Sequence, residues 1–232
     1  SVMIEIYKLG QYNIGYTELT ECVRTNENGK QLVHIFQDIS KGKTDSLKNA
    51  IKNKVNCIQV LNTKQFYYES KNIYDYDNNM LITPLNKNVN YYNSVCQQNK
   101  FGLKSRNVCS AEFNESHFIE GDRVVCCKNY SKEEIYNGYI GKVLEITKTK
   151  NRRKIVCKSI EVDYPDGPGE INHDDHLRHG YVLTTHKAQG SEADTIYYIH
   201  TSSADRTNIY TGVTRAKEKV IIVCDDLSRL YK

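Results

Sequence analysis

The sequence contains no tryptophan, only three prolines, and no apolar run of about 20 residues, the length that a membrane-spanning helix needs. Its first residues also lack the charged segment and the apolar segment of a secretory signal. With 39% apolar and 26% charged residues, the composition is typical of a folded globular protein. These absences predict a soluble, intracellular protein that does not bind membranes.

Neither sign of charge dominates the chain, because 32 lysines and arginines oppose 28 aspartates and glutamates. The net charge of +4 allows nucleic-acid binding but does not demand it. The eight cysteines are scattered and include no Cys-x-x-Cys pair, so we expect reduced, mostly buried thiols and no bound metal. Local motifs therefore have to indicate the function.

Strand and helix patterns alternate at both ends of the chain, which is typical of an α/β domain with a parallel sheet. Between them, short strands with glycine turns such as Asn137-Gly138 predict a small β-barrel insert. We expect an α/β domain formed by residues 1–119 and 178–232, interrupted by the insert at residues 120–177. The predicted strands cover residues 57–61, 80–84, 122–127, 139–147, 154–162, 181–185, 195–200 and 219–223. The predicted helices cover residues 31–40, 45–54, 87–98 and 205–216. A turn is predicted at residues 165–169.

A polar turn with a glycine follows the apolar strand that begins at Tyr181. Open α/β sheets bind ligands at the carboxyl ends of their strands, and Gly190 would let the backbone approach such a ligand. The turn could equally be solvated. Its hydroxyl, imidazole and ammonium donors suit phosphate oxygens, and they belong to Thr184, Thr185, His186, Lys187 and Ser191.

A second motif joins a helix to an apolar strand between Arg206 and Val223. At helical spacing, Ile209, Val213 and Ala216 face the core. Arg215 shares another side of the helix with Asn208 and Thr211. It either complements the helix dipole, which contributes only about 0.3 kcal/mol, or contacts a phosphate group.

These two motifs carry a family resemblance. Residues 185–192 and 209–223 closely resemble motifs V and VI of superfamily 1 helicases, in particular the RecD-like branch and its phage relatives. Four other segments match the family in the same order, although Thr25 stands where the family has glutamine. They are Leu19–Thr25 at the entry to the second motor domain, Met80–Asn86 in motif IV, and Gly121–Val125 with Tyr136–Leu144 in the SH3-like barrel of RecD-type motors.

The resemblance implies a RecA-like parallel sheet, the second motor domain of a 5′-to-3′ DNA helicase, with an inserted SH3-like β-barrel. ATP and Mg²⁺ would bind in the cleft between two motor domains. Arg24 and Arg215 would be catalytic arginine fingers at the γ-phosphate, with Gly190 and Glu192 on the nucleotide-facing edge. The residues that would contact single-stranded DNA are Thr83, Asn86, Thr185, His186 and Lys187.

One apparent ATP-binding signal fails. Gly42-Lys43-Thr44 resembles the end of a phosphate-binding loop, but Gln37 stands where that loop requires glycine. The 232 residues contain neither a complete phosphate-binding loop nor an Asp-Glu metal box. We therefore expect a piece of a longer helicase that is inactive alone. It would work with its own amino-terminal motor domain, which would hold most of the ATP and Mg²⁺. A natural truncation or a separate partner subunit is an alternative.

Two other functions fit the sequence. The chain could be a catalytically silent module that binds nucleic acid or protein, or the motor domain of a viral RNA helicase. The inserted barrel and the residues from His186 to Glu192 favour the DNA branch, for which replication or repair proteins are the expected partners.

Overall fold

The computed structural model describes residues 27–70, 73, 76, 78–102, 110–113, 116–131, 135–151, 154–164, 167–172 and 176–228. Its helices are α1 (Glu27–Ser40), α2 (Asp45–Lys52), α3 (Thr63–Ser70), α4 (Asn86–Phe101) and α5 (Arg206–Val213). Its strands are β1 (Ile58–Leu61), β2 (Asn79–Thr83), β3 (Ser110–Phe113), β4 (Ser116–Ile119), β5 (Arg123–Cys126), β6 (Ile140–Asn151), β7 (Lys154–Tyr164), β8 (Gly167–Asn172), β9 (Leu177–His179), β10 (Val182–Thr184), β11 (Ala193–Ile199) and β12 (Ala216–Val223). No helix within these ranges is long and apolar enough to cross a membrane.

Five strands form a parallel sheet in the order β1-β12-β11-β2-β10. Each neighbouring pair runs in the same direction. Parallel sheets are covered on both faces, so their strands are continuous apolar runs, as in Val220–Val223, which is buried throughout. The predicted α/β fold with a parallel sheet is confirmed.

Helices cover both faces of this sheet. Met80 and Ile82 on β2 join the core beneath α1, α2 and α5, whereas Leu81 between them joins the core beneath α3 and α4. Successive side chains of a strand point to opposite faces, which explains this alternation. The apolar face of α1 that the sequence predicts is buried against the first of these cores.

The chain leaves the parallel sheet after α4. β3 and β4 form a hairpin, and five antiparallel strands follow in the order β8-β7-β6-β5-β9 around a second apolar core. Gly138 has a φ of 97°, the left-handed conformation predicted for this turn. Within the described ranges the two outer strands, β8 and β9, do not pair with each other. A closed SH3-like barrel and the limits at residues 120 and 177 therefore stay predictions.

The turn predicted at residues 165–169 is wrong at its carboxyl end. Gly167–Gly169 opens β8 and pairs with Val162–Tyr164 of β7. Proline usually marks a turn, but an edge strand tolerates Pro168 because one side of that strand forms no ladder. The long hairpin of β7 and β8 therefore overrides the local turn signal.

The helix predicted at residues 205–216 is too long, because α5 ends at Val213 and Ala216 pairs with Ala193 at the start of β12. The hairpin of β3 and β4 and the helix α3 were not predicted. The sequence does carry one signal for α3. Asn62 and Gln65 exchange hydrogen bonds between side chain and backbone at 2.8 and 2.9 Å, a reciprocal cap at the start of the helix.

The side chains of five cysteines are described, and all five are free thiols. Cys57, Cys96, Cys126 and Cys224 are buried, whereas Cys127 is partly exposed. Burial raises the pKa of the Cys96 thiol to about 12, so this group stays protonated at neutral pH. The predicted reduced, mostly buried thiols are confirmed for these five.

Gly212 on α5 approaches the buried ring of Tyr198 on β11, and a Cβ at position 212 would lie 2.7 Å from two ring carbons. In a helix interior, alanine in place of glycine usually stabilises the folded protein by about 0.5–1 kcal/mol, but overpacking of a core destabilises it by about 1–3 kcal/mol. We therefore expect Gly212→Ala to lower the free energy of unfolding in urea by about 1–2 kcal/mol.

The control is the same substitution in a Tyr198→Leu background, where a smaller side chain removes the overlap. The cost of Gly212→Ala should shrink or change sign there. An undiminished cost in that background would contradict the steric explanation.

Candidate functional site

The parallel sheet presents two chemically different edges. At its carboxyl edge, β2 ends at Thr83 beside the end of β10 at Thr184. At its amino edge, β11 begins at Ala193 beside the start of β12 at Ala216. Residues 185–192 connect β10 to β11 and return from the first edge to the second without forming a helix. The predicted site residues therefore divide between opposite edges.

Arg215 lies at the amino edge, in the turn between α5 and β12. Its carbonyl oxygen accepts a hydrogen bond from the Ala193 amide at 3.1 Å, which ties this turn to the start of β11. Its Nη2 donates to the Thr214 hydroxyl at 3.2 Å, but its buried Nε has no hydrogen-bond partner among the described residues. A buried N–H without an acceptor costs about 1–3 kcal/mol, so the position suits an anion.

Two other predicted nucleotide residues lie in the segment that reaches this edge. The carboxylate of Glu192 lies 2.8 Å from Lys217 Nζ, in an exposed ion pair that contributes at most about 1 kcal/mol. Gly190 has a φ of 87°, and open space surrounds the position where a Cβ would lie. Arg24 lies outside the described residues, so its predicted role stays a prediction.

The predicted DNA-contacting residues lie at the carboxyl edge. The Thr185 amide donates to the Thr83 carbonyl oxygen at 3.2 Å, and the hydroxyls of both threonines are buried without a hydrogen-bond partner among the described residues. His186 is exposed on the following turn. Lys187 extends towards the insert, where its Nζ lies 3.0 Å from Cys127 Sγ.

A groove of about 620 Å³ opens beside the edge strand β10, between α4 and the insert. We call it the α4 groove. Its walls include Lys87 on α4, Arg178 on β9 and Lys187 after β10, and no carboxylate belongs to the described residues that line it. A cavity that contains three cations and no acid attracts an anionic polymer.

Of the residues that line this groove, only Asn86, Thr184 and Lys187 were predicted from the sequence as ligand contacts. Not predicted was an amide-bearing face of α4, where Asn90, Asn93 and Gln97 follow Asn86 at intervals of three or four residues and line the same wall. That pattern is visible in the sequence. The contribution of Arg178 is not visible there, because this residue reaches the groove only through the pairing of β9 with β5.

Asn93 explains how α4 is held beside the sheet. Its Oδ1 accepts a hydrogen bond from the Val182 amide at 2.9 Å, and its Nδ2 donates to the carbonyl oxygens of Val182 and His179, both at 3.3 Å. β10 is an edge strand, so these backbone groups lack a neighbouring strand on this side. One buried side chain satisfies them.

Comparisons with known proteins connect this geometry to a family. Residues 179–223 match the sequence model described as UvrD-like helicase C-terminal domain. The ATP-dependent RecD2 DNA helicase of Deinococcus radiodurans is 35% identical over 105 residues, which are 43% of this chain and 13% of that protein. These matches confirm the predicted resemblance to the carboxyl-terminal motor domain of superfamily 1 helicases of the RecD-like branch.

The helicase domain is similar to a further curated protein, the probable conjugal transfer protein TraA of Sinorhizobium fredii. The two are 29% identical over 154 residues, which are 62% of this chain and 13% of TraA. The chain thus spans about an eighth of the length of each of these two relatives.

Solved structures share the fold of the helicase domain. The Pif1 helicase from Bacteroides in complex with ADP-AlF3 and single-stranded DNA gives a TM-score of 0.60 at 17% identity, and covers 92% of this chain and 53% of its own. The Pif1 helicase from Candida albicans gives 0.55 at 12% identity, with 86% and 54% covered. Identities this low establish the fold alone, which is that of a RecA-like motor domain.

We expect Asn93→Leu to destabilise the helicase domain, because the Val182 amide and two carbonyl groups would lose their buried partner. The free energy of unfolding should fall by about 2–3 kcal/mol in urea titrations. Asn90→Leu on the same helix is the control and should change it by at most about 0.5 kcal/mol, because Asn90 is exposed. Equal losses in both variants would contradict the role of Asn93.

Proposed function

We propose that this domain is the second motor half of an ATP-dependent DNA helicase that moves 5′ to 3′ along single-stranded DNA. Its amino edge would complete an ATP site shared with an amino-terminal motor domain, and its α4 groove would hold the DNA strand. Residues 1–119 and 178–232 would form the motor, and residues 120–177 the insert. The observation that carries this proposal is the unpartnered, buried Nε of Arg215 at the edge opposite the groove.

A phosphate oxygen is the acceptor that Arg215 lacks. A guanidinium group is a planar cation that can donate to two oxygens at once, so Arg215 can stabilise charge on a γ-phosphate. The similar Pif1 helicase was solved with ADP-AlF3. Gly190 and Glu192 would border the nucleotide beside this arginine. Mg²⁺ and most of the ATP would be held by the amino-terminal motor domain, since this sequence has no phosphate-binding loop.

Arg24 would be the second arginine of this site. It precedes α1 by three residues, and near the start of α1 the Oε1 of Gln31 lies 3.7 Å from Cys57 Sγ. Cys57 directly precedes β1, so this end of α1 lies at the amino edge of the sheet. The chain therefore enters α1 on the side of the sheet where Arg215 lies.

In the full-length helicase, Arg215→Ala should lower the ATPase rate by about 10³-fold or more, because an arginine finger contributes about 10³–10⁵. Arg215→Lys should not restore the rate, since lysine lacks the planar fork of donors. Steady-state phosphate release with saturating single-stranded DNA measures both. In the same assay the isolated domain should release no phosphate.

Arg206→Ala is the matched control, because Arg206 is exposed at the opposite end of α5. That variant should keep its ATPase rate. Turnover retained in Arg215→Ala would refute the assignment.

The α4 groove would bind the DNA backbone without reading its bases. Lysine and arginine contact phosphates as charges, whereas base recognition needs donors and acceptors matched to base edges. Asn86, His186 and Lys187 are the predicted contacts that reach the surface. The buried Thr83 and Thr185 would support this surface from beneath. The Pif1 helicase from Bacteroides, which shares this fold, was solved in complex with single-stranded DNA.

Lys187→Ala should weaken binding of a labelled single-stranded DNA oligonucleotide. It should also lower the slope of log affinity against log salt by about one, because one phosphate contact is lost. Fluorescence anisotropy at several salt concentrations measures both. Lys217→Ala is the control, since this lysine pairs with Glu192 at the opposite edge. Equal effects of the two variants, or tighter binding of an RNA oligonucleotide by the wild type, would count against a DNA strand in this groove.

A further inference from the structure

The insert and the parallel sheet meet at Asp122, a carboxylate with no exposed surface. Its Oδ1 accepts a hydrogen bond from the Tyr181 hydroxyl at 2.6 Å, and its Oδ2 accepts one from Gln97 Nε2 at 2.7 Å. The Ile119 amide also donates to Oδ2 at 2.7 Å, and His179 Nε2 lies 3.5 Å away. Three donors thus converge on one buried carboxyl group, which is the environment that a carboxylate requires.

Asp122 and its side-chain donors come from two different parts of the molecule. Asp122 directly precedes β5 of the antiparallel sheet, whereas Gln97 is on α4 and Tyr181 directly precedes β10 of the parallel sheet. Ile119, three residues before Asp122, ends β4. Burial, followed by the charge of Asp122, raises the pKa of the Tyr181 hydroxyl, so it remains a donor. Separation of the two parts would leave a buried carboxylate without its partners, which is strongly unfavourable.

Two backbone contacts tighten the same junction. The Gly180 amide, between β9 and β10, donates to the Arg123 carbonyl oxygen at 2.8 Å. A Cβ at position 180 would lie 2.8 Å from the Val124 backbone, so only glycine fits here without a shift. On the other side of Asp122, Lys100 of α4 donates to the Gly121 carbonyl oxygen. Both chain segments at Asp122 are therefore attached to the motor.

The hydrogen-bonded residues at Asp122 also form part of the α4 groove. Gln97 and His179 lie in its wall, with Gln97 Nε2 3.2 Å from His179 Nε2. Arg178, one of the three cations of the groove, directly precedes His179 on β9. Asp122 and Tyr181 do not line the groove themselves. The carboxylate thus acts on the groove only through its partners.

We propose that Asp122 is a positioning residue that fastens the insert and the adjoining strand β9 to α4, and thereby holds Arg178 on β9 and Lys87 on α4 in one DNA-binding groove. The proposal rests on the proposed function only for the identity of the ligand, single-stranded DNA. Asp122 itself does not touch that ligand.

Tyr181→Phe tests this proposal, because it keeps the buried ring and removes only the hydroxyl that donates to Asp122. Tyr198→Phe is the matched control. Tyr198 is equally buried, but its hydroxyl has no hydrogen-bond partner among the described residues. Both variants can be compared with the wild-type chain by hydrogen exchange with mass spectrometry, and by anisotropy of a labelled single-stranded oligonucleotide.

Tyr181→Phe should speed amide exchange in β5 and β9 about tenfold, with no change in β11 and β12, because a hydrogen bond to a charged group is lost at the junction. The same variant should weaken DNA binding by roughly threefold, the effect of disturbing one phosphate contact. Gln97→Met removes a second donor and should reproduce the faster exchange. Tyr198→Phe should leave exchange in β5 and β9 and the affinity for DNA unchanged.

Unchanged exchange in Tyr181→Phe would overturn the fastening role of Asp122, whatever the affinity for DNA. Faster exchange with unchanged affinity would overturn its link to the groove. If the wild-type chain bound no single-stranded DNA, the proposed function would fail instead, and the exchange experiment would still decide whether Asp122 fastens the insert.

Discussion

The common direction of the five central strands is the constraint on which the rest of this domain depends. Because all five are parallel, the chain must return from the carboxyl edge to the amino edge before each new strand begins. Between β10 and β11 it does so in residues 185–192, a connection shorter than the dozen or so residues that such a crossover usually needs. The buried Ala188 packs this segment against the sheet.

That short connection joins the two edges of the sheet. It begins at Thr185 beside the end of β2 and ends at Glu192 next to the turn that holds Arg215. One segment of eight residues therefore borders both the proposed DNA groove and the proposed nucleotide edge. Within this segment no helix separates the two edges.

α4 connects the sheet, the insert and the groove through one face of amide side chains. Asn93 satisfies the free side of β10, Gln97 reaches the carboxylate of Asp122, and Asn86 lines the open groove. Amide groups suit all three tasks, since they donate and accept without adding charge. The positive charge of the groove is left to Lys87, Lys187 and Arg178 on β9.

The sequence by itself determined the family resemblance and the order of most elements, because strand runs, helical spacing and motifs such as Thr185–Glu192 are local patterns. Its failures were also local: a proline turn signal at Pro168 was overridden by pairing with β7, and the apparent helix at Ala216 by pairing with β11. Only the tertiary structure decided that Arg178 joins the groove and that Asp122 is buried among donors from both parts. These contacts join distant segments, and hydrogen bonds between distant segments leave no periodic trace in the sequence.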